Sequence, residues 1–266
     1  MNIQNSKFGA MTPHDEIKAL LHQKELFIFD LDGTLFNTLG DLAPAVNYAM
    51  KQFGLKTHSN DDVRTFIGNG SMNLIRRAVA ANYIGMENIR DIEKVAAVLE
   101  REGYNDESVK GIHKVYSDYY WEHCTENTEP YEGVVELIKR IANRTGSKGY
   151  SAGAKCAAML TNKPVAPAQK ILEKFGLEKS FATYLCGDTT PERKPSPAGI
   201  FEILRQTGIA PEKAIMIGDD TPDVLAAKNA GIDCITLFEG FGKAENLLPL
   251  SPRYTAGHIK DFAEFI

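Results

Sequence analysis

Apolar residues along this chain fall into two patterns. Short unbroken runs at 26–29, 156–160, 184–186, 214–217 and 234–237 predict strands covered on both faces, as in a mostly parallel sheet. Around 132–142, 165–175, 197–207 and 222–230 the apolar positions recur every three or four residues, which predicts amphipathic helices. Gly176, Gly208 and Gly231 mark the ends of three of them. Strands alternating with helices predict right-handed crossovers and an α/β fold, a doubly wound parallel sheet whose ligands bind at the strands' carboxyl edge.

From residue 38 to about 124 the spacing is helical, with no strand-like run. Thr38-x-x-Asp41 reads as a capping box and Gly54 as a C-cap. The chain therefore divides into an α/β core of residues 1–37 and 128–266 and a helical domain, 38–127, inserted after the first core strand. Ahead of that strand, Thr12-Pro13 reads as an N-cap and first-turn proline, opening a short helix through Ile17, Leu20 and Leu21 that packs on the outside. Asn143 to Lys155 carries three glycines among Ser, Lys and Arg. It reads as a surface loop, because it lacks the Gly-Lys-Ser/Thr ending of a Walker sequence and precedes a strand, at the wrong end of the sheet.

Composition removes several classes of function. Among 266 residues, 30 Lys plus Arg stand against 35 Asp plus Glu, a net charge of -5, so no broad basic surface is available for nucleic acid. No apolar stretch approaches the ~20 residues of a membrane helix. Asp15, Glu16 and Lys18 lie where a signal peptide would be apolar. A cytoplasmic protein with no membrane partner is expected. Cys124, Cys156, Cys186 and Cys234 form no Cys-x-x-Cys pair and are expected to be buried free thiols; His113 and His123 are not spaced i, i+4, so zinc is not expected.

The chemistry begins at Phe29-Asp30-Leu31-Asp32-Gly33-Thr34, where a buried strand aims two carboxylates from its end. One can attack while the other handles protons, and Gly33 lets the backbone turn close to a ligand. Three segments follow in order: Met159-Leu160-Thr161-Asn162-Lys163, Lys194-Pro195 with Ser196-Pro197 as N-cap and first helical residue, and Ile217-Gly218-Asp219-Asp220-Thr221-Pro222-Asp223. Taken singly they read as turn chemistry, a solvated charge and a helix start capped by Thr221 before Pro222.

In this order the four segments resemble the signatures of the haloacid dehalogenase-like superfamily, in its phosphoglycolate phosphatase-like branch. The resemblance implies that Asp30 is a nucleophile and Asp32 its acid-base partner. It implies that the Thr161 side chain and the backbone N–H of Asn162 hold phosphate oxygens, and that Lys194 neutralises phosphate and nucleophile. It further implies a Mg²⁺ ion on Asp30, the Asp32 carbonyl and Asp219, with Asp223 supporting the metal shell or fixing Lys194. Arg64-Thr65-Phe66-Ile67-Gly68-Asn69-Gly70 resembles the cap segment of that branch, which makes Arg64, Gly68 and Asn69 candidate substrate contacts and Arg64 a partner for a substrate carboxylate. Asp220 stands where relatives often have Ser or Thr, and no role is assigned to it.

The expected activity is Mg²⁺-dependent hydrolysis of a phosphomonoester through an aspartyl-phosphate, on a small phosphorylated acid, by a monomer or homodimer. A phosphomutase of the β-phosphoglucomutase kind shares the core signatures but retains the phosphoryl group. A pyrophosphatase or sugar phosphatase of the same superfamily differs in substrate only, and a catalytically silent binding module is the reading from another class. Asp32 argues against a haloacid dehalogenase, whose chemistry needs no protonated leaving alkoxide.

Overall fold

The computed structural model describes residues 11–145, 155–190 and 192–266. The glycine-rich segment between Asn143 and Lys155 lies largely outside them. The chain forms two compact units, Met1–Asn37 with Pro130–Ile266, and Thr38–Glu129.

In the first unit six parallel strands form one sheet: β1 (Leu26–Phe29), β2 (Cys156–Leu160), β3 (Thr183–Leu185), β4 (Ala214–Gly218), β5 (Asp233–Leu237) and β6 (Tyr254–Ala256). Their order is β3-β2-β1-β4-β5-β6, the doubly wound arrangement in which the strand order reverses between β1 and β4. Side chains alternate across the sheet, as the pleat requires. Phe27, Phe29, Ile215 and Ile217 join one core with Ile17, Leu20 and Leu21 of helix His14–His22. Leu26, Ile28, Ala214 and Met216 join another with Ile200 and Ile203 of helix Ala198–Thr207.

Five expected strands are present, with small shifts at β3, β4 and β5. The sixth, β6, was not expected. Besides His14–His22 and the short Ala244–Leu247, the α-helices of this unit are the four expected between strands, Val134–Thr145, Val165–Lys174, Ala198–Thr207 and Thr221–Ala230. Several expected caps differ. Thr12 bonds Thr255 on β6, its Oγ1 accepting from the Thr255 N–H at 2.8 Å, so Pro13 occupies the N-cap position. Pro197 stands at the N-cap position where Ser196 was expected. Asp220 replaces Thr221 as N-cap of its helix, accepting from the Thr221 N–H at 2.8 Å. A carboxylate is a strong acceptor for the exposed amides of a helix start, which is also its positive end.

The second unit packs helices Leu39–Gln52, Asn60–Phe66, Ser71–Ala80, Ile92–Arg101 and Asp106–His123 around their own apolar core, including Val46, Phe66, Ile75 and Ile112. The expected box at Thr38 does not form, since the Thr38 side chain makes no capping bond. Asp41 instead accepts from the backbone N–H groups of Asn127 and Thr128, both at 2.8 Å. Gly54 follows the C-cap with φ +68. Among the described residues no helix is long and apolar enough to cross a membrane.

Candidate active site

The carboxyl ends of β1 and β4 flank the reversal of strand order, and both carry acids just beyond the strand. The ladder continues past β1, with the Asp30 N–H donating to the Ile217 carbonyl at 3.0 Å. This fixes Asp30 beside the segment that bears Asp219. Gly33 turns the chain at φ +86, and a side chain there would collide with the Asp219 carboxylate. The next residue, Thr34, donates from Oγ1 to Asp219 Oδ1 at 2.6 Å.

Asp30, Asp219 and Asp223 are all buried, and one carboxylate oxygen from each lies within 4.8 Å of the others. One lysine enters the group. Lys194 Nζ lies 2.7 Å from Asp30 Oδ1 and 2.6 Å from Asp223 Oδ1. Its contact with Asp223 is a hydrogen bond. The Asp30 oxygen has no hydrogen-bond donor aligned on it, so the approach of Lys194 there is best described as charge against charge. Asp223 is fully engaged inside the protein, because its Oδ2 also accepts from the Asp219 and Asp220 N–H groups at 3.2 and 3.1 Å. Asp219 Oδ2 accepts from the backbone N–H groups of Phe241 and Gly242 at 2.7 and 3.4 Å.

Burial pushes the Asp30 carboxyl up to about 7; the charges of Asp223 and Asp32 add to the rise and Lys194 opposes it. Asp219 is raised well above the usual carboxylate range by burial, then by Asp223 and Asp30. For Lys194 burial favours the neutral amine, but the charges of Asp223 and Asp30 outweigh it and keep the ammonium protonated. Three carboxylates therefore stand together with one lysine, which reaches Asp30 and Asp223 only, and the donors on Asp219 are all uncharged. Hard oxygen ligands with an excess of negative charge suit a divalent cation, so the residues present fit the expected metal.

Asp32 stands apart from this cluster. Its Oδ1 accepts from Lys163 Nζ at 2.8 Å, and Lys163 is almost wholly buried while Asp32 is about one-fifth exposed at 19%. Thr161 is buried beyond the end of β2, and its Oγ1 accepts from the Lys163 N–H at 3.2 Å. The Asn162 side chain grips the Lys194 backbone, donating to its carbonyl and accepting from its N–H, each at 2.9 Å. The sequence segments thus meet: Asp30, Lys194, Asp219 and Asp223 form one group, with Asp32, Thr161 and Asn162 bonded to lysines at 163 and 194. The roles of Thr34, of the 240–242 loop and of Lys163 toward Asp32 were not anticipated. Thr34 and Lys163 lie inside the segments that drew attention.

Arg64, Gly68 and Asn69 belong to the second unit. Arg64 is exposed on helix Asn60–Phe66. Gly68, Asn69 and Gly70 follow with φ of +115, +61 and +87. Two arginines missed in the sequence hold this segment by its carbonyls. Arg77 donates to Phe66 and Gly68 at 2.8 and 2.9 Å, and Arg90 to Thr65 and Ile67 at 3.0 and 2.9 Å. The four cysteines are free, three buried and Cys234 partly so, and burial pushes Cys156, Cys186 and Cys234 up to about 12. Thiols so held stay protonated and unreactive. Among the described residues the three aspartates form the one group suited to a metal ion.

Comparison with known proteins agrees with this geometry. The family model of haloacid dehalogenase-like hydrolases matches residues 27–237. Phosphoglycolate phosphatase 1 of Pseudomonas aeruginosa is 32% identical over 237 residues, 89% of this chain and 77% of that protein. The phosphoglycolate phosphatase of Psychrobacter arcticus is 33% identical over 229 residues, 86% of this chain and 90% of that protein. Among solved structures, a putative phosphoglycolate phosphatase from Lactobacillus delbrueckii superposes with a TM-score of 0.77 at 27% identity, covering 90% of this chain and 97% of the other.

Proposed function

The chain belongs to the haloacid dehalogenase-like hydrolases and is a phosphatase, and from that premise we propose that it hydrolyses a small phosphorylated acid, 2-phosphoglycolate first among candidates, with Mg²⁺ as cofactor. The observation that carries the mechanism is the buried group of Asp30, Asp219 and Asp223, in which Lys194 pairs with Asp30 and Asp223. The substrate class is supported by the relatives named phosphoglycolate phosphatase.

A phosphate dianion repels an attacking carboxylate, so positive charge must come first. A divalent cation held by Asp30, Asp219 and the Asp32 carbonyl supplies it when bound, polarising a phosphoryl oxygen. Asp223 fixes Lys194 and braces the backbone at Asp219, the second of the two roles the resemblance implies, besides supporting the metal shell. Lys194 contributes a permanent charge beside Asp30. The Asp30 oxygen then attacks phosphorus in line as the bond to the leaving oxygen breaks. Asp32 delivers its proton to that oxygen, and as carboxylate it takes a proton from the water that cleaves the aspartyl-phosphate. Thr161 and the Asn162 N–H hold phosphoryl oxygens. Arg64, Gly68 and Asn69 supply substrate selectivity, Arg64 pairing with the substrate carboxylate.

A phosphate-release screen over small phosphorylated metabolites with Mg²⁺ present tests the reading. Highest kcat/KM on 2-phosphoglycolate supports it. Transfer of the phosphoryl group to a second position on a sugar phosphate, without free phosphate, would replace it with a phosphomutase.

A further inference from the structure

Among the described residues, two of the three donors on the Asp219 carboxylate come from the loop after β5, residues 239–242, and the third is Thr34. The β5–β6 ladder runs on into this loop. The Phe238 and Glu239 N–H groups donate to the carbonyls of Ala256 and Gly257 at 3.0 and 3.2 Å, and Glu239 Oε2 lies 2.7 Å from His258 Nε2. From that anchorage the chain crosses to the end of β4, where the Phe241 N–H reaches Asp219 Oδ2 at 2.7 Å and Phe241 itself is buried. The approach is as close as a backbone allows. A Cβ on Gly240 would run into the Asp219 side chain, and one on Gly242 into the Asp219 carbonyl oxygen.

A neutral donor acts on a buried carboxylate differently from an ammonium. Lys194 offsets the charge of Asp30 and Asp223, whereas Thr34 on Oδ1 and Phe241 on Oδ2 fix the direction of the Asp219 carboxylate and leave its charge for a cation. A carboxylate held from both sides also has less freedom to lose when it takes up an ion. We propose that Gly240 and Phe241 are positioning residues for the metal group: the glycine lets the loop close on Asp219, and the buried phenylalanine seats the N–H that orients Oδ2. This rests on the reading of Asp219 as a Mg²⁺ ligand, and it requires no proton to move and no bond to be made or broken.

Calorimetric titration of the full chain with Mg²⁺ tests it without reference to turnover. Gly240→Ala drives a methyl group into Asp219 and forces the loop off its carboxylate. Mg²⁺ affinity should fall about 10- to 100-fold, the usual cost of losing a partner behind a metal ligand. Phe241→Ala, which keeps the N–H but unseats it, should lower the affinity too, and Phe241→Leu, which refills the space with an apolar side chain, should recover most of that loss. Circular dichroism establishes that each variant is folded, and where one is not, the other decides. Wild-type Mg²⁺ affinity in the folded variants, whatever their melting temperatures in EDTA, would make the loop a purely structural element and overturn the proposal. A wild type that itself takes up no Mg²⁺ would instead remove the metal reading, and the role of the loop with it.

Discussion

The two acids of the Asp30-Leu31-Asp32 run lie two residues apart and live in opposite charge environments. Asp30 sits in a buried group of three carboxylates with one lysine, paired with two of them, and its own carboxyl is pushed up to about 7 by that burial. Asp32 accepts from Lys163 and keeps some access to water. The first environment is incomplete without further positive charge, and a buried excess of like charge is costly. In the second a lysine faces the carboxylate directly. Under the proposed mechanism the difference would separate the tasks: the buried group would need cation and phosphate before Asp30 is fully ionised, while Asp32 would handle the protons.

The strongest way to break this contrast is to remove the acid from each side. Asp30→Asn should abolish turnover, a loss of roughly 10⁴-fold or more, with circular dichroism unchanged, and EDTA should silence the wild type until Mg²⁺ is restored. Near-normal steady-state rates in Asp30→Asn would exclude it as nucleophile. Asp32→Asn should lose roughly 10²- to 10⁴-fold in kcat on 2-phosphoglycolate. An effect as complete as that of Asp30→Asn on p-nitrophenyl phosphate kcat/KM would erase the division of labour.

Selectivity should respond separately from chemistry. Arg64→Ala should weaken kcat/KM for 2-phosphoglycolate much more than for p-nitrophenyl phosphate, by up to the about 2 to 5 kcal/mol typical of a lost buried charge pair. Equal losses on the two would make Arg64 a structural residue.

The smallest effect sharpens the contrast through stability. Asp30 rises from its ordinary 3.8 to about 7 and Asp219 rises too. As pH climbs through that window, the unfolded chain releases protons that the metal-free folded protein retains. Folding stability therefore falls with rising pH. In EDTA the melting temperature should drop by roughly 2–4 °C or more between about pH 5 and pH 8, and Mg²⁺ should remove the drop. A melting temperature that rises across that range in EDTA would contradict the raised carboxyls.

What the sequence reveals of this molecule follows from the range of the forces involved. The strands at Leu26–Phe29 and Ala214–Gly218 are legible because burial on both faces demands an unbroken apolar run. The strand Tyr254–Ala256 is only three residues long, between Arg253 and Gly257, too short to show any period. The shift of the cap from Thr221 to Asp220 turns on which of two adjacent acceptors meets the helix start, a matter of one backbone angle. Asp30, Lys194, Asp219 and Asp223 stand out as residue types at strand ends, and the fold brings them together. Their supports do not stand out, because Thr34 finds Asp219 across 185 residues and Lys163 finds Asp32 across 131, partnerships made by sheet order and not by spacing.

The central claim is that Asp30 becomes phosphorylated. Rapid-quench mass spectrometry of wild-type protein mixed with Mg²⁺ and 2-phosphoglycolate should find, in the first turnover, a phosphoryl group on the peptide containing Asp30, decaying as free phosphate appears. Phosphate released at the full rate with no labelled Asp30 at any quench time would contradict it and point to direct attack by water.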